Sequence, residues 1–194
     1  MVALQGDFAR HVARLSEIGA DAYEARLPSE IEKADAVILP GGESTTIGKL
    51  LSRYELDNAI RDANAQGKPV YGTCAGLILL ARRIEQGTEE RGGQNTLGLM
   101  DVTVARNAFG RQIDSFEATI DAPKLVQEGE PPLSAVFIRA PVVTSMGPEV
   151  EALGQHDGKV VLVRQGSLLG SAFHPELTDD PRIHRYFLSL IPQD

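Results

Sequence analysis

Apolar and polar positions alternate in two rhythms over the first eighty residues of the chain. Apolar residues recur at the spacing of one helix face in residues 8–18, 44–51 and 56–65. Short continuous apolar runs, typical of strands buried on both faces, occupy residues 2–4, 34–39 and 70–71. This alternation predicts an α/β fold with a doubly wound, mostly parallel central sheet flanked by helices. A ligand site is then expected at the carboxyl ends of the strands.

The pattern changes in the second half of the chain. Residues 82–95 are polar and rich in glycine, which predicts a mobile surface loop. Additional short strands, separated by turns, are predicted at residues 102–104, 116–120, 135–138, 160–163 and 168–173. The segment QHDGK at 155–159 indicates a hairpin, so these strands are expected to include antiparallel pairs. A last helix is expected over 183–190, and because no repeat or linker divides the chain, residues 1–194 are predicted to form one domain.

Charge and hydropathy narrow the possible partners and the compartment. The formal net charge is -8, whereas a surface that binds a nucleic-acid backbone needs clustered lysine and arginine. No apolar stretch approaches the roughly 20 residues that span a bilayer, and the N-terminus shows no basic segment followed by an apolar one. We therefore expect a cytoplasmic protein that binds neither nucleic acid nor membranes.

Cysteine and histidine usage predicts no metal site and no cofactor. The chain has one cysteine, which can form no internal disulfide and no paired zinc clip. Its four histidines are scattered, without a metal-ligand spacing, at His11, His156, His174 and His184.

The single cysteine lies in a strand, turn and helix start that predicts a nucleophile. Gly72-Thr73-Cys74-Ala75-Gly76 reads G-x-C-x-G, the nucleophile elbow with cysteine in place of serine. At a helix N-terminus the thiolate form is favoured, and the N–H of Ala75 points to where an oxyanion would form. A lone cysteine is more often a small buried apolar residue, but such a residue needs no flanking glycines.

His174 and Glu176 are the expected base and acid partner of Cys74. They stand in FHPE at the end of an apolar run, where side chains two apart share one face of a strand. Glu176 can then hold the imidazole of His174 in one tautomer and stabilise its protonated form. His11, flanked by Arg10 and Arg14 on what reads as the wet side of the first helix, is interpreted as a surface residue, as are His156 and His184.

The glycine-rich segment at residues 41–49 resembles a phosphate-binding loop but does not match one. That motif needs glycine and Ser or Thr where Glu43 and Leu50 stand, and a carboxylate there would repel phosphate. Gly42 can instead bring a second N–H to the oxyanion opposite Ala75, and Ser44 can cap the following helix. The alternative is an ordinary tight turn with an ordinary cap.

Taken together and in this order, PGGEST, GTCAGL and FHPEL resemble class I glutamine amidotransferases of the triad type. Longer stretches, ALQGDFARH, KPVYGTCAGLILLA, RNAFGRQIDSFE and VFIRAP, are similar to the glutaminase subunits of pyridoxal 5'-phosphate synthases. The similarity covers nearly the whole chain. The triad motifs are shared widely among amidotransferases, whereas RNAFGRQ and FIRAP are specific to this group.

The resemblance implies both a site and a partner. It implies a catalytic triad of Cys74, His174 and Glu176, with oxyanion donors at Gly42 and Ala75. It implies that L-glutamine is bound by Gly42, Glu43, Ser44, Arg106, Ile138 and Arg139. The expected reaction is hydrolysis of glutamine to glutamate and ammonia, with the ammonia passed to a synthase subunit in a hetero-oligomer that makes pyridoxal 5'-phosphate.

Three other functions remain open from the sequence. An amidotransferase subunit for another pathway, such as imidazole glycerol phosphate synthesis, would keep the triad but lack RNAFGRQ and FIRAP. A hydrolase or chaperone of the DJ-1 type would keep the elbow and need no HPE. A binding module that senses oxidants through Cys74 would be sensitive to peroxide and would not turn over glutamine.

Overall fold

The computed structural model describes residues 1–85, 94–106 and 115–192. Most of RNAFGRQ and much of the glycine-rich stretch after Ile84 lie outside these ranges. The helices of the described residues are α1 (Phe8–Glu17), α2 (Pro28–Lys33), α3 (Ser44–Arg53), α4 (Leu56–Ala65), α5 (Ala75–Leu80) and α6 (Arg182–Leu188), with a 3-10 turn at Pro175–Leu177. The strands are β1 (Val37–Leu39), β2 (Val70–Thr73), β3 (Ala81–Ile84), β4 (Met100–Ala105), β5 (Ser115–Ile120), β6 (Leu133–Ile138), β7 (Val142–Met146), β8 (Glu151–His156), β9 (Lys159–Gln165) and β10 (Leu168–Ser171).

One sheet runs through most of these strands, in the order β1-β2-β10-β9-β7-β4-β3, and β8 pairs with β9. The strands β1, β2 and β10 are parallel neighbours, as are β3 and β4, while β9 and β7 join the two groups through antiparallel pairs. A separate antiparallel pair, β5 and β6, lies beside the 3-10 turn. The predicted α/β class, with helices around a parallel core and short antiparallel strands added, is confirmed.

The parallel group brings three chain segments to one edge of the sheet. Leu39, Thr73 and Ser171 end β1, β2 and β10, and Leu39 pairs with Gly72 while Ser171 pairs with Thr73. All four residues of β2 and of β10 are buried, and both strands pack against α5. Their mostly apolar sequences fit that position. The residues that follow these strand ends, at 40–43, 74 and 172–176, therefore lie close together.

The predicted elements agree with the structure in part. The helix predicted at 56–65 has those bounds, and the hairpin predicted at 155–159 joins β8 to β9. Residues 2–4 do not form a regular strand, although Val2 bridges to Ala25 in parallel and donates its N–H to Ile38 O at 3.0 Å. Residues 81–84 form β3, so the first residues of the loop predicted at 82–95 belong to a strand.

Candidate active site

Cys74 lies between β2 and α5 in a backbone conformation that is rare for a residue with a side chain. Its φ is 49° and its ψ is -101°, and its N–H donates to Ser171 O at 2.8 Å. The side chain is only 6% exposed. A non-glycine residue held at positive φ stores about 1–3 kcal/mol of strain and persists only where its neighbours enforce it. The main-chain bond to β10 is one such restraint.

The two glycines of the elbow are required by close backbone packing. A Cβ atom on Gly72 would collide with the main chain of Gly76, and a Cβ on Gly76 would collide with the carbonyl oxygen of Leu39. Neither obstacle is a flexible side chain that can move aside. The G-x-C-x-G spacing therefore reflects contact between the elbow, its own helix and the neighbouring strand β1.

His174 is fixed by main-chain and side-chain bonds on opposite sides. Its backbone N–H donates to Val136 O at 2.8 Å, which ties it to β6. Its Nδ1 donates to Glu176 Oε1 at 2.7 Å, and Glu176 is 1% exposed. With Nδ1 engaged in this way, Nε2 is the nitrogen left to interact with the thiol of Cys74. The sequence expectation that these side chains lie together agrees with this geometry, although Glu176 reaches the ring from the 3-10 turn and not from a strand.

The electrostatics of this group favour a charged His174 and a charged Glu176. Burial alone would lower the pKa of His174, but its hydrogen bonds to Cys74 and Glu176 outweigh burial and raise that pKa to about 10. Burial alone would raise the pKa of Glu176, but hydrogen bonds from His11 and His174 outweigh it and hold that pKa well below its usual range. A protonated imidazole beside a thiol favours the thiolate, the form that attacks an acyl carbon.

Two further histidines lie behind Glu176, and their interpretation as surface residues is wrong. His11 on α1 is fully buried, and its Nε2 lies 3.2 Å from Glu176 Oε2 and 3.3 Å from Thr73 Oγ1. His184 on α6 is 1% exposed, and its Nε2 lies 3.1 Å from His11 Nδ1. His156, by contrast, packs its ring against Phe137, away from this group.

A signal for both buried histidines is present in the helix patterns. His11 follows Phe8 by three residues and precedes Leu15 by four, so it lies on the apolar face of α1. His184 precedes Phe187 by three residues and is likewise on the buried side of α6. The surface interpretation relies on Arg10 and Arg14, which are near His11 in the sequence. The residues that share its helix face, Phe8 and Leu15, indicate its environment better.

The glycine loop after β1 lies against both the imidazole and the N-terminal segment. A Cβ on Gly41 would collide with the ring of His174, so the loop passes directly over that side chain. Gly42 has a φ of 147°, and the side chain of Gln5 lies beside it, accepting the N–H of Glu43 at 2.9 Å. Gln5 is not among the residues that the sequence predicts to bind glutamine.

Glu43, and not Ser44, caps α3. The carboxylate of Glu43 accepts the N–H groups of Thr45 at 3.0 Å and Thr46 at 2.7 Å, and the hydroxyl of Thr46 at 2.6 Å. These bonds outweigh the effect of burial and lower the pKa of Glu43 to about 2. Ser44 is the first helical residue, and its buried hydroxyl donates to Gln94 Oε1 at 3.1 Å. The predicted cap is therefore one residue too late.

The structure places the remaining residues predicted for glutamine binding, and the predicted oxyanion donor Ala75, on three different elements or their ends. The carbonyl oxygen of Ile138, at the end of β6, is 3.7 Å from Cys74 Sγ. Arg139 follows it with a φ of 43° and an exposed side chain. Ala75 begins α5 directly after the cysteine. Arg106 is exposed at the end of β4, at the border of the described residues.

The described residues contain neither a metal-binding cluster nor a membrane-spanning helix. No cluster of three or more His, Cys, Asp or Glu side chains with the arrangement of a metal site occurs there. No helix in those ranges is long and apolar enough to cross a bilayer.

A cysteine on a strained strand-to-helix elbow, with a histidine and a buried carboxylate in line behind it, is typical of a cysteine-nucleophile hydrolase on an α/β sheet. Comparison with known proteins narrows this class. Residues 1–192 match the model of the SNO glutamine amidotransferase family. The chain belongs to that family, and it is an enzyme of the glutamine amidotransferase type.

Close relatives share the full length of the chain. A protein from Desulforudis audaxviator is 51% identical over 191 residues, which cover 98% of this chain and 97% of the relative. A protein from Herpetosiphon aurantiacus is also 51% identical, with 98% of each chain covered. Both are named pyridoxal 5'-phosphate synthase subunit PdxT. The resemblance found in the sequence motifs is confirmed.

Solved structures agree with this assignment at two levels. A crystal structure of a glutamine amidotransferase superposes with a TM-score of 0.88 at 47% identity, covering 98% of this chain and 96% of the other. PurLQS from Thermotoga maritima superposes with a TM-score of 0.70 at 15% identity, covering 98% and 96%. The second likeness supports the fold alone.

Proposed function

We propose that this chain is the glutaminase subunit of a pyridoxal 5'-phosphate synthase and that Cys74, His174 and Glu176 are its catalytic triad. It hydrolyses L-glutamine to glutamate and ammonia, and the ammonia is used for vitamin B6 synthesis. The observation that carries the proposal is the alignment of the strained Cys74 with His174, which is itself held by a buried carboxylate. Membership of the amidotransferase family identifies the amide that this thiolate attacks.

The first half of the proposed reaction forms a thioester. The thiolate of Cys74 attacks the side-chain carbonyl carbon of glutamine, and the carbonyl oxygen takes up the negative charge. The N–H groups of Gly42 and Ala75 are the proposed donors to that oxyanion. His174 then gives its Nε2 proton to the departing nitrogen, the C–N bond breaks, and ammonia leaves a γ-glutamyl thioester on Cys74.

The second half returns the enzyme to its starting state. Neutral His174 takes a proton from water, which attacks the thioester carbonyl carbon. The C–S bond breaks, glutamate leaves, and the regenerated thiolate again faces a protonated imidazole. Glu176 stabilises that imidazolium in both halves and keeps its charge throughout.

The proposed glutamine pocket surrounds Cys74 on the loop side. Gly42, Glu43, Ser44, Arg106, Ile138 and Arg139 are proposed to contact the substrate. Because the Glu43 carboxylate already accepts three bonds at the start of α3, Glu43 is proposed to contact glutamine through its N–H. That contact would replace the bond that this N–H makes to Gln5 Oε1. The exposed guanidinium groups of Arg106 and Arg139 are suited to the α-carboxylate of free glutamine.

The partner is proposed to be the synthase subunit of the same complex, which consumes the ammonia. The relatives' shared name as a synthase subunit supports this partner. We place the complex in the cytoplasm, where phosphorylated sugars are available. Residues 1–194 are taken as one glutaminase domain, because the main sheet joins strands from the first and last thirds of the chain.

Glutamate release from glutamine, measured with and without the synthase subunit encoded in the same genome, tests this proposal. Wild type is expected to turn over glutamine faster with the synthase, and Cys74→Ala is expected to be inactive in both conditions. Undiminished turnover by Cys74→Ala would refute the mechanism. Equal wild-type rates with and without the synthase would refute activation by the partner.

A further inference from the structure

The geometry points to His11, supported by His184, as a positioning residue for the triad carboxylate of Glu176. This inference rests on the function proposed above and extends it to the two histidines behind Glu176. The three residues come from α1, α6 and the 3-10 turn, and they meet on the side of Glu176 opposite His174.

Glu176 is a buried carboxylate, and each of its two oxygens needs a polar partner. Its Oε1 accepts from His174, and its Oε2 lies 3.2 Å from His11 Nε2. No group among the described residues donates a well-aligned hydrogen bond to Oε2, so its polar neighbour is the imidazole of His11. A buried carboxylate oxygen without a donor costs several kcal/mol, and the group then tends to become protonated. His11 is therefore the side chain that faces the outer oxygen of Glu176 and offsets the cost of burying its charge.

The direction of the hydrogen bonds follows from the chemistry of the ionised carboxylate. Ionised Glu176 only accepts, so His11 must present an N–H at Nε2, which it shares with Thr73 Oγ1 at 3.3 Å. Both the neutral and the protonated form of His11 can do this. The other ring nitrogen of His11 lies 3.1 Å from Nε2 of His184 and fixes the plane of the ring.

His184 is the last residue in this series of side-chain contacts, which runs from Glu176 through His11. Burial, together with the neighbouring His11, lowers its pKa to about 4, so the ring is neutral. Its own Nδ1 is buried and has no partner within the described part of the chain. The side chain thus has a single polar contact in the cluster, which suits a support for His11 and not a proton donor to substrate.

The groups that face Glu176 determine how the cluster responds to pH. Charged and titratable side chains around it come from β2, the elbow, α1, α6 and the turn: Tyr71, Cys74, His11, Arg14, His184 and His174. Tyr71 is fully buried and its pKa is raised, chiefly by burial, so it stays neutral. Among these groups, His11 and His174 hold the pKa of Glu176 low against burial. Loss of the His11 donor therefore raises the pKa of Glu176.

The test compares two amide substitutions that differ by one carbon. In His11→Gln the amide nitrogen reaches about as far as Nε2, whereas in His11→Asn it stops near the position of Nδ1, away from Glu176. We expect His11→Asn to lower kcat for glutamine hydrolysis roughly tenfold, with little change in KM, and to move the acid limb of the kcat profile to higher pH. His11→Gln is expected to keep kcat within about threefold of wild type and to keep the acid limb in place.

Equal losses of kcat in both variants, with an unchanged acid limb, would overturn the inference, as would wild-type behaviour of both. If His11→Asn does not fold, as judged by thermal unfolding, His11→Gln decides alone: retained kcat supports the inference and a tenfold loss overturns it. All assays use the full chain with the synthase subunit, and Cys74→Ala is run beside them. Activity of Cys74→Ala would refute the proposed function itself, whereas an inactive Cys74→Ala beside unaffected His11 variants refutes only this inference.

Discussion

The two sides of Cys74 are built by different means. On the elbow side, main-chain groups provide the restraint: Cys74 is held at positive φ by its bond to Ser171 O, and Gly72 and Gly76 allow the main chain to pack without side chains. On the histidine side, buried side chains provide it. The chain from His174 through Glu176 to His11 joins segments that lie more than 160 residues apart. We therefore expect the elbow side to be sensitive to side-chain atoms added at Gly72 or Gly76. We expect the histidine side to be sensitive to the loss of a polar partner of Glu176.

The largest effect is expected from a substitution on the histidine side of Cys74. Glu176→Gln keeps the size of the residue but places an amide where the carboxylate accepts two histidine donors. We expect kcat for glutamine hydrolysis with the synthase subunit to fall by about 10³- to 10⁴-fold, because the imidazolium loses its counter-charge and the tautomer of His174 is no longer fixed.

Glu128→Gln is the matched control for that variant. Glu128 is exposed and distant in sequence from every proposed site residue, so wild-type kcat is expected. A loss of kcat for Glu176→Gln no greater than for Glu128→Gln would contradict the assignment of Glu176.

The next largest effect is expected from a substitution on the elbow side of Cys74. Gly76→Ala puts a Cβ into the carbonyl of Leu39, so we expect the free energy of unfolding to fall by about 3 kcal/mol or more. Gly67→Ala is the comparison: Gly67 has a φ of 87° and open space around it, so only backbone strain of about 1 kcal/mol is expected. Chemical denaturation of both variants measures the difference, and equal losses would show that the elbow is not closely packed.

A smaller effect concerns the loss of folding stability at acid pH that is caused by His184. Because the folded-state pKa of His184 is lowered to about 4 from 6.5, its contribution to stability is present above pH 6.5 and is lost as the pH falls from 6.5 to 4. We expect wild type to lose on the order of 2 kcal/mol through this group across that window and His184→Gln to lose less. Urea unfolding at pH 7 and pH 4.5 measures it, and identical pH dependence of the two proteins would argue against a buried neutral His184.

The smallest effect concerns the loop beside the proposed oxyanion site. Glu43→Ala removes the cap of α3, which is worth about 1 kcal/mol. Because the pKa of Glu43 is lowered to about 2 from 4.5, the cap is fully formed above pH 4.5, so the stability gap between variant and wild type should narrow as the pH falls from 4.5 towards 2. Thermal unfolding at a series of pH values measures this gap, and a constant gap would mean that the carboxylate charge is not what caps the helix.

The same contrast explains what can be predicted from the sequence. The elbow is local, and its glycines stand within two residues of Cys74, so the pattern reveals it directly. HPE is also local, so the sequence alone predicts the pairing of His174 with Glu176. Helical periodicity can indicate that His11 and His184 are buried, but it cannot indicate that they meet beside Glu176, because that depends on the tertiary packing of α1 and α6. The sequence places the cap of α3 at Ser44 because serine is the commoner cap, whereas the extended backbone of Glu43 lets its carboxylate reach the N–H groups of Thr45 and Thr46.

The covalent step tests the central claim most directly. Wild type mixed with radiolabelled glutamine and the synthase subunit, then quenched in acid, should carry the γ-glutamyl label as a thioester on the peptide that contains Cys74. The label should disappear on treatment with hydroxylamine and be absent from Cys74→Ala. Rapid glutamate release with no label on that peptide, or label retained by Cys74→Ala, would contradict the account.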